Sequence, residues 1–518
     1  MADINEVISA SRAYCENRIS LRDLDKIYLE YLNNTDSYKG SNAVQLCREL
    51  TEIFSSKDKS EDYYYIISAM FRMTMLPEVY YRLVRSCIND INFTKENRFF
   101  AYSQLAVNKF LYPVVNTRNG MDLLDDLYEA VYQDFLGEVK DLCVPIPQKE
   151  RNRDFIIVLA SQVLSLNHGP TKTLLDRCSI LSGVIGKKVF IINTCSVLPE
   201  YGEILWFEQR LGNNAESLAN SEFLEWKGNK YGYFQCPKEM PQTGVIKEIL
   251  QIVRSEKPYF IVSIGGSDIT ADMCSRIVPV LTVCLGPSER AQTRTTFQMT
   301  GHRINDEDRE WLRKHGFKTT HIIEGLFTSD FKPQTSILTR EELGLPINAV
   351  ICIVVGYRLD QEIDETFLDV VRELAGKGIY TAFMGGFSRY EEMTRDDDLL
   401  RCYSINLGFK DDALAVYECC DIYLNPKRLG GGTSVAEAMS KGLPAVTINY
   451  GDVATGAGDD FIVDDYSEMI ERVNKLSEDK DYYDIMSKKA KKRADKLTDS
   501  QGEFVRIIHE MESREEFW

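Results

Sequence analysis

The residues best suited to chemistry lie at 425–446, NPKRLGGGTSVAEAMSKGLPAV. The stretch follows an apolar run, DIYLN, and opens a segment of helical spacing. Gly430, Gly431 and Gly432 let the main chain approach a ligand closely, and the amides of Gly431, Gly432, Thr433 and Ser434 at a helix N-terminus suit an anion such as a diphosphate. Lys441-Gly442 with Pro444 beyond stops the helix. The pattern is neither a P-loop nor GxGxxG. A second candidate is LSLNHGPTKTLLDRC, where Asn167, His168, Gly169, Pro170 and Thr171 stand at a loop-to-helix junction and His168 supplies a near-neutral base. The loop SIGGSDITADM, with Gly265 and Gly266, allows close approach to its backbone or is a plain turn. Arg290 and Arg294 lie in a polar loop, GPSERAQTRTTFQMTG.

Those loops need strands behind them. DFIIVLA, KKVFIINT, PYFIVSI, VPVLTVC and THIIE alternate with helical stretches, as do NAVICIVVG, IYTAFMGG, CYSINLG, DIYLNP and PAVTIN. Short apolar runs of this kind read as strands buried on both faces, so two parallel sheets covered by helices are expected in tandem. Loops at the carboxyl ends of such strands are where these folds bind ligands. EGLFTSDFKPQTSILTREELGLP between the two series reads as a linker followed by a short helix. Ahead of them, residues 1–148 hold three glycines, Gly40, Gly120 and Gly137, and repeat apolar residues at three- and four-residue spacing, which predicts an all-helical domain. Its tyrosines, among them Tyr63 to Tyr65, either pack with their hydroxyls at the rim or form an interaction surface. The expected domains are 1–148 helical, 149–335 and 336–498 Rossmann-like, and 499–518 a C-terminal helix crossing back to the first Rossmann-like domain. That last helix is amphipathic through Phe504, Ile507, Ile508 and Met511.

Composition narrows the partners. A chain of 518 residues with 44% hydrophobic and 27% charged side chains supplies several cores. Lys+Arg 61 against Asp+Glu 79 leaves −18, a charge that repels nucleic acid. No run approaches the length of a membrane span, and the 13 cysteines, without a CxxC pair, suit reduced thiols in the cytoplasm. No metal site is expected; Asp396 to Asp398 reads as a solvated run.

The second half resembles the GT-B glycosyltransferases, especially the retaining group 1 enzymes. REELGLPINAVICIVVGYRLD is similar to their linker, first strand and Gly-Arg-Leu turn, GFKDDALAVYECCDIYLNP to their GF-x-DD segment, and RLGGGTSVAEAMSKGLPAV to their nucleotide loop and Glu-bearing helix. The helical domain ahead of the pair resembles the arrangement of the HMW1C-like transferases. The resemblance implies a GT-B fold with two Rossmann-like domains facing across a cleft. It also implies a nucleotide-sugar donor, a UDP-sugar, giving a hexose to a glycan or protein acceptor, with no cofactor and no metal. By position, Glu437 matches the ribose-binding glutamate, Arg358 the arginine facing the diphosphate, and Phe409 and Lys410 the loop beside the base. Ser434-x-x-Glu437 also fits a capping box, which would make Glu437 a cap.

Two departures stand out. Leu429 occupies the place of the family's second glutamate, and QEIDE the place of a lysine past the Gly-Arg-Leu turn. Lys427 and Arg428 are the expected substitutes for the missing cation. His168 becomes the catalytic candidate, taking a proton from an acceptor or positioning a sugar, with Asn167, Gly169, Gly265 and Gly266 as sugar or acceptor contacts. The alternatives are a non-catalytic pseudo-glycosyltransferase that binds a protein, or a GT-B sugar-nucleotide epimerase.

Overall fold

The structure is a computed structural model that describes residues 3–33, 41–55, 62–109, 112–166, 168–200, 202–286, 290–328 and 331–517. The chain divides into two compact units, one of residues 1–281 with 292–296, the other of 282–291 with 297–518. The strands are β1 (Phe155–Ala160), β2 (Lys188–Asn193), β3 (Phe223–Trp226), β4 (Asn229–Gln235), β5 (Ile261–Ile264), β6 (Val280–Val283), β7 (Phe297–Thr300), β8 (Ile322–Glu324), β9 (Ile351–Gly356), β10 (Tyr380–Gly385), β11 (Ser404–Gly408), β12 (Ile422–Asn425), β13 (Ala445–Ile448) and β14 (Ile462–Val463). They form an eight-stranded sheet in the order β3-β4-β2-β1-β5-β6-β7-β8 and a six-stranded sheet in the order β11-β10-β9-β12-β13-β14.

The first unit begins with helices α1 (Ile4–Cys15), α2 (Leu21–Leu32), α3 (Ser41–Ile53), α4 (Tyr63–Thr74), α5 (Pro77–Asn89), α6 (Lys95–Val107) and α7 (Arg118–Val139). Local chemistry starts them. Ser20 and Asp23 close a capping box on α2, and Thr94 and Thr117 cap α6 and α7. Helix α4 is buried almost all round, and Tyr63, Tyr64 and Tyr65 hydrogen-bond Ser86, Asp90 and Asp25, so these rings are packed with tethered hydroxyls. One hydrophobic core runs from these helices into the sheet, joining Tyr80, Phe100 and Phe135 with Ile157, Leu159, Ile192 and Ile261.

Every strand expected from the sequence is present; in the eight-stranded sheet β4-β2-β1-β5 and the pair β7–β8 run parallel, and β3 meets β4 antiparallel. That hairpin is one the pattern did not reveal, because its buried positions, Leu224, Tyr231, Tyr233 and Gln235, alternate with exposed or partly exposed ones and form no continuous apolar run; the turn signal was Lys227-Gly228, both at positive φ. β7 was hidden because it buries polar side chains, Gln298 and Thr300. The short helix expected after the linker is instead one turn, closed by Gly344 at φ +69 ahead of Pro346.

In the second unit the six-stranded sheet is parallel throughout. The last helix, Ser500–Glu512, buries Phe504, Ile507, Ile508 and Met511 and lies on β8; a Cβ on Gly325 would stand 2.7 Å from Ile507, so glycine sets that approach.

Candidate nucleotide site and acceptor-side loops

Because the six strands are parallel, the turns after β11, β10, β9, β12 and β13 stand side by side at one edge, in that order. The turn after β12 carries the glycines. Helix Gly432–Ser440 starts one residue after Gly431, whose φ of +106 is the left-handed conformation glycine adopts without strain. The first-turn amides of Gly432, Thr433 and Ser434 have no intrahelical acceptor, and no other acceptor meets them among the described residues. They form a donor cluster at the positive end of the helix.

The capping-box alternative for Glu437 is excluded. Ser434 lies inside the helix, donating to the Gly431 carbonyl at 2.8 Å and sharing a 2.7 Å hydrogen bond with the Tyr423 hydroxyl. Glu437 is therefore left half-buried in the second turn. Burial pushes its carboxyl up to about 7, against the pull of the Lys332 ammonium. Lys332 was missed by sequence reasoning; it sits in the FKPQTS stretch, with no pattern to mark it. The Tyr417 hydroxyl, also missed, is buried without a hydrogen-bond partner and feels the charges of Glu437 and Arg428.

The two arginines have different fates. Arg358 follows β9 with its side chain 46% exposed, and a Cβ on Gly430 would lie 3.1 Å from its Nη2, so the guanidinium rests against the glycine turn. Arg428 corrects an expectation: it does not face a ligand. Only 4% of its side chain is exposed, and it donates to Asn425 Oδ1 and Glu362 Oε2, each at 2.7 Å, and to the Val355 carbonyl. Glu362, from the acidic QEIDE run, thus bridges both, its other oxygen lying 2.9 Å from Arg358. A buried guanidinium needs acceptors on every side, and these positions supply them. Lys427 stays exposed, its ammonium 5.5 Å from the centre of the Tyr450 ring. Phe409, 60% exposed, pairs with Tyr357, 77% exposed, at 5.9 Å between ring centres, and Lys410 beside it is half-buried.

In the first unit, Asn167 lies outside the described residues. His168 precedes helix α8 (Gly169–Gly183) and its Nδ1 stands 3.2 Å from Thr171 Oγ1. Burial lowers its pKa, which keeps the imidazole a neutral base. Gly265, at φ +129, packs on the loop after β1, where a Cβ would lie 2.8 Å from Ser161 Oγ; Gly169 and Gly266 have open space around them. Asp268 anchors the loop of Gly265 and Gly266 from inside, accepting from Thr194 Oγ1 at 2.6 Å and from the Thr270 amide at 2.9 Å. Arg294 is buried against α7, with Glu129 at 2.7 Å and Asp125 at 3.1 Å. Arg290 lies in the second unit, 3.8 Å over the Trp311 ring.

Among the described residues no group of His, Cys, Asp or Glu side chains could hold a metal ion. Asp397 of the acidic run caps a helix and pairs with Arg372 at 2.6 Å. No helix of the described residues is long and apolar enough to cross a membrane.

Residues 351–479, which carry the glycine turn, Arg358 and Glu437, match the family model of glycosyl transferases group 1. This C-terminal region is a group 1 glycosyltransferase domain, and the class of the protein follows from it: a glycosyltransferase. No curated protein matches the chain. Among solved structures, it is similar to an O-GlcNAc transferase mutant of Thermobaculum terrenum at 12% identity and a TM-score of 0.47, covering 95% of this chain and 97% of that one. A glycosyltransferase from Rickettsia africae follows at 11% identity and a TM-score of 0.46, covering 70% and 99%. HepE of Anabaena, determined in complex with UDP, shares 13% identity at a TM-score of 0.46, covering 69% and 100%.

Proposed function

We propose that the protein transfers a hexose from a nucleoside diphosphate sugar, a UDP-sugar, to a protein or glycan acceptor. The observation that carries this reading is the glycine turn. Free amides of Gly432, Thr433 and Ser434 open helix 432–440 beside the Arg358 guanidinium, with the half-buried Glu437 carboxylate one turn further along. A diphosphate fits the amides and the guanidinium, and the carboxylate accepts from the ribose hydroxyls. When the glycosidic bond breaks, charge grows on the leaving diphosphate, and donors already in place stabilise it without reorganising. Phe409 and Tyr357 offer ring faces to the base. His168, held neutral by its surroundings, accepts a proton from an acceptor hydroxyl or positions a sugar, with Gly265 and Gly266 leaving room at the neighbouring loop. The thirteen cysteines are free thiols, which supports a cytoplasmic location.

One observation favours a second reading, a pseudo-glycosyltransferase: Glu362 offsets the charge of Arg358, the exposed guanidinium that rests against the turn. A panel of nucleotide sugars separates the two. Nucleotide release with one donor, lost in Glu437→Ala, is the expected outcome. Binding of UDP without release from any donor selects the second reading, and no binding of any nucleotide defeats both.

A further inference from the structure

Tyr417 ends the short helix Ala413–Tyr417, and its side chain is wholly buried in the core of the second unit. Its hydroxyl nevertheless has no hydrogen-bond partner. A hydroxyl buried unpaired is destabilising, and native proteins keep few such groups. Phenylalanine would fill the same space without that cost, so packing alone does not account for the oxygen.

Its surroundings narrow the acceptor to one. The groups whose charges bear on the Tyr417 hydroxyl are Glu437, Tyr423, Cys420 and Arg428. The Arg428 guanidinium carries donors only, and they are committed to Asn425, Glu362 and the Val355 carbonyl. The Tyr423 hydroxyl is engaged with Ser434 Oγ at 2.7 Å, and the Cys420 thiol donates to the Val416 carbonyl at 3.5 Å. Glu437 is left. What acts on its carboxyl is burial and the Lys332 ammonium, with no hydrogen bond from any described residue. Ser434 and Glu437 stand three residues apart on helix Gly432–Ser440 and so share a face. Tyr423 from β12 and Tyr417 from the preceding helix, which packs on helix Gly432–Ser440, both bear on Glu437 there.

The other charges around this helix are engaged or lie at its ends. Lys441, one turn beyond Glu437, pairs with Glu418 at 2.7 Å. Helix Lys480–Thr498 presents Lys491 to Gly442, past the helix end, and helix Gly451–Ala457 presents Asp452 to Gly432, at its start. β13 brings only uncharged side chains.

We infer that Tyr417 is a positioning residue: its hydroxyl donates to the Glu437 carboxylate once that group is ionised, and so holds it toward the ribose hydroxyls of the donor. The inference rests on the reading of Glu437 as the ribose contact. A protonated Glu437 carries an O–H donor of its own and leaves the phenol idle. Loss of that proton to solvent makes both oxygens acceptors, one for Tyr417 and one for the nucleotide. A charge-assisted bond of this kind lowers the pKa of its acceptor.

Tyr417→Phe removes the oxygen and keeps the ring. The test is calorimetric titration of the full-length protein with UDP across a pH series. Wild-type affinity should rise through about 7, the value to which burial pushes Glu437. In Tyr417→Phe the midpoint should move up by about one pH unit, so that Kd is about tenfold weaker near pH ~6 and converges on wild type by pH ~9. Its Tm should hold or rise, because an unpaired polar atom leaves the core. A fall in Tm with an unmoved midpoint marks a merely structural hydroxyl. That result, an unshifted profile of any kind, or a loss of affinity equal at every pH overturns the inference, while UDP binding leaves the donor reading standing. If UDP does not bind, the donor reading fails and the titration of Glu437 itself decides. Its side-chain carboxyl carbon resonance, identified in glutamate-labelled protein by its loss in Glu437→Gln, should titrate about one pH unit higher in Tyr417→Phe. An unchanged midpoint refutes the bond.

Discussion

Replacing Glu362 by alanine removes the carboxylate shared by Arg358 and Arg428. The Arg428 side chain is 4% exposed and Glu362 is 12% exposed, so the change leaves a buried guanidinium short of its charged partner. Breaking such a pair costs about 3–5 kcal/mol. The lower end applies, because Asn425 and the Val355 carbonyl still accept from Arg428. Arg358, 46% exposed, adds about 0.5 kcal/mol or less. The expected loss is about 3 kcal/mol. Hydrogen exchange at the amides of β9 and β12 is the assay, since it reports on the elements that Arg428 joins. Arg428→Met and the double variant complete a cycle whose coupling should reach about 2 kcal/mol. Glu362→Gln provides an opposite sign: it weakens the fold yet removes a negative charge from beside Arg358, so UDP binding should tighten about threefold. Additive single and double variants, or a loss under about 1 kcal/mol, would refute the account of Arg428 as a buried strut.

Glu437 predicts a pH dependence. Its native pKa of about 7 lies above the ordinary 4.5, so the folded state keeps a proton that the unfolded chain releases between those values. Stability should therefore fall as pH rises through that window, and Glu437→Gln should flatten the slope in a urea series. Calorimetry in two buffers should show UDP binding release a proton near pH 7 and strengthen as pH rises; binding indifferent to pH would remove Glu437 from the ribose contact. Gly431→Ala forces a side chain into φ +106 with its Cβ 2.9 Å from Val453, at a cost of about 2 kcal/mol in thermal unfolding and with loss of UDP binding. Gly137→Ala, inside α7 with open space around it, should instead stabilise by about 0.5–1 kcal/mol, and a Tm that falls would contradict the helix description.

Much of the architecture was legible because it is local. Apolar runs marked ten of the strands, periodicity marked the helical region, and a glycine run ahead of a helix with a firm stop marked the helix N-terminus proposed to hold the diphosphate. These signals need only near neighbours in the chain. The failures have local reasons: β7 buries Gln298 and Thr300, the hairpin β3–β4 alternates buried with exposed positions, and β14 is only two residues long, so none of them shows a continuous apolar run.

Adjacent residues met opposite ends. Lys427 and Arg428 look alike in sequence, yet one is solvated and the other is sealed beneath the turn, because β12 lies next to β9 and so brings Glu362 to a residue 66 positions away. Arg294 reads as a loop charge until α7 presents Asp125 and Glu129. The sequence by itself determined which elements form and where an anion could bind, since helix ends, glycine turns and apolar runs act over a few residues. Which charges remain free to meet that anion was decided by tertiary structure alone, because strand order sets who stands beside whom and no linear spacing records it.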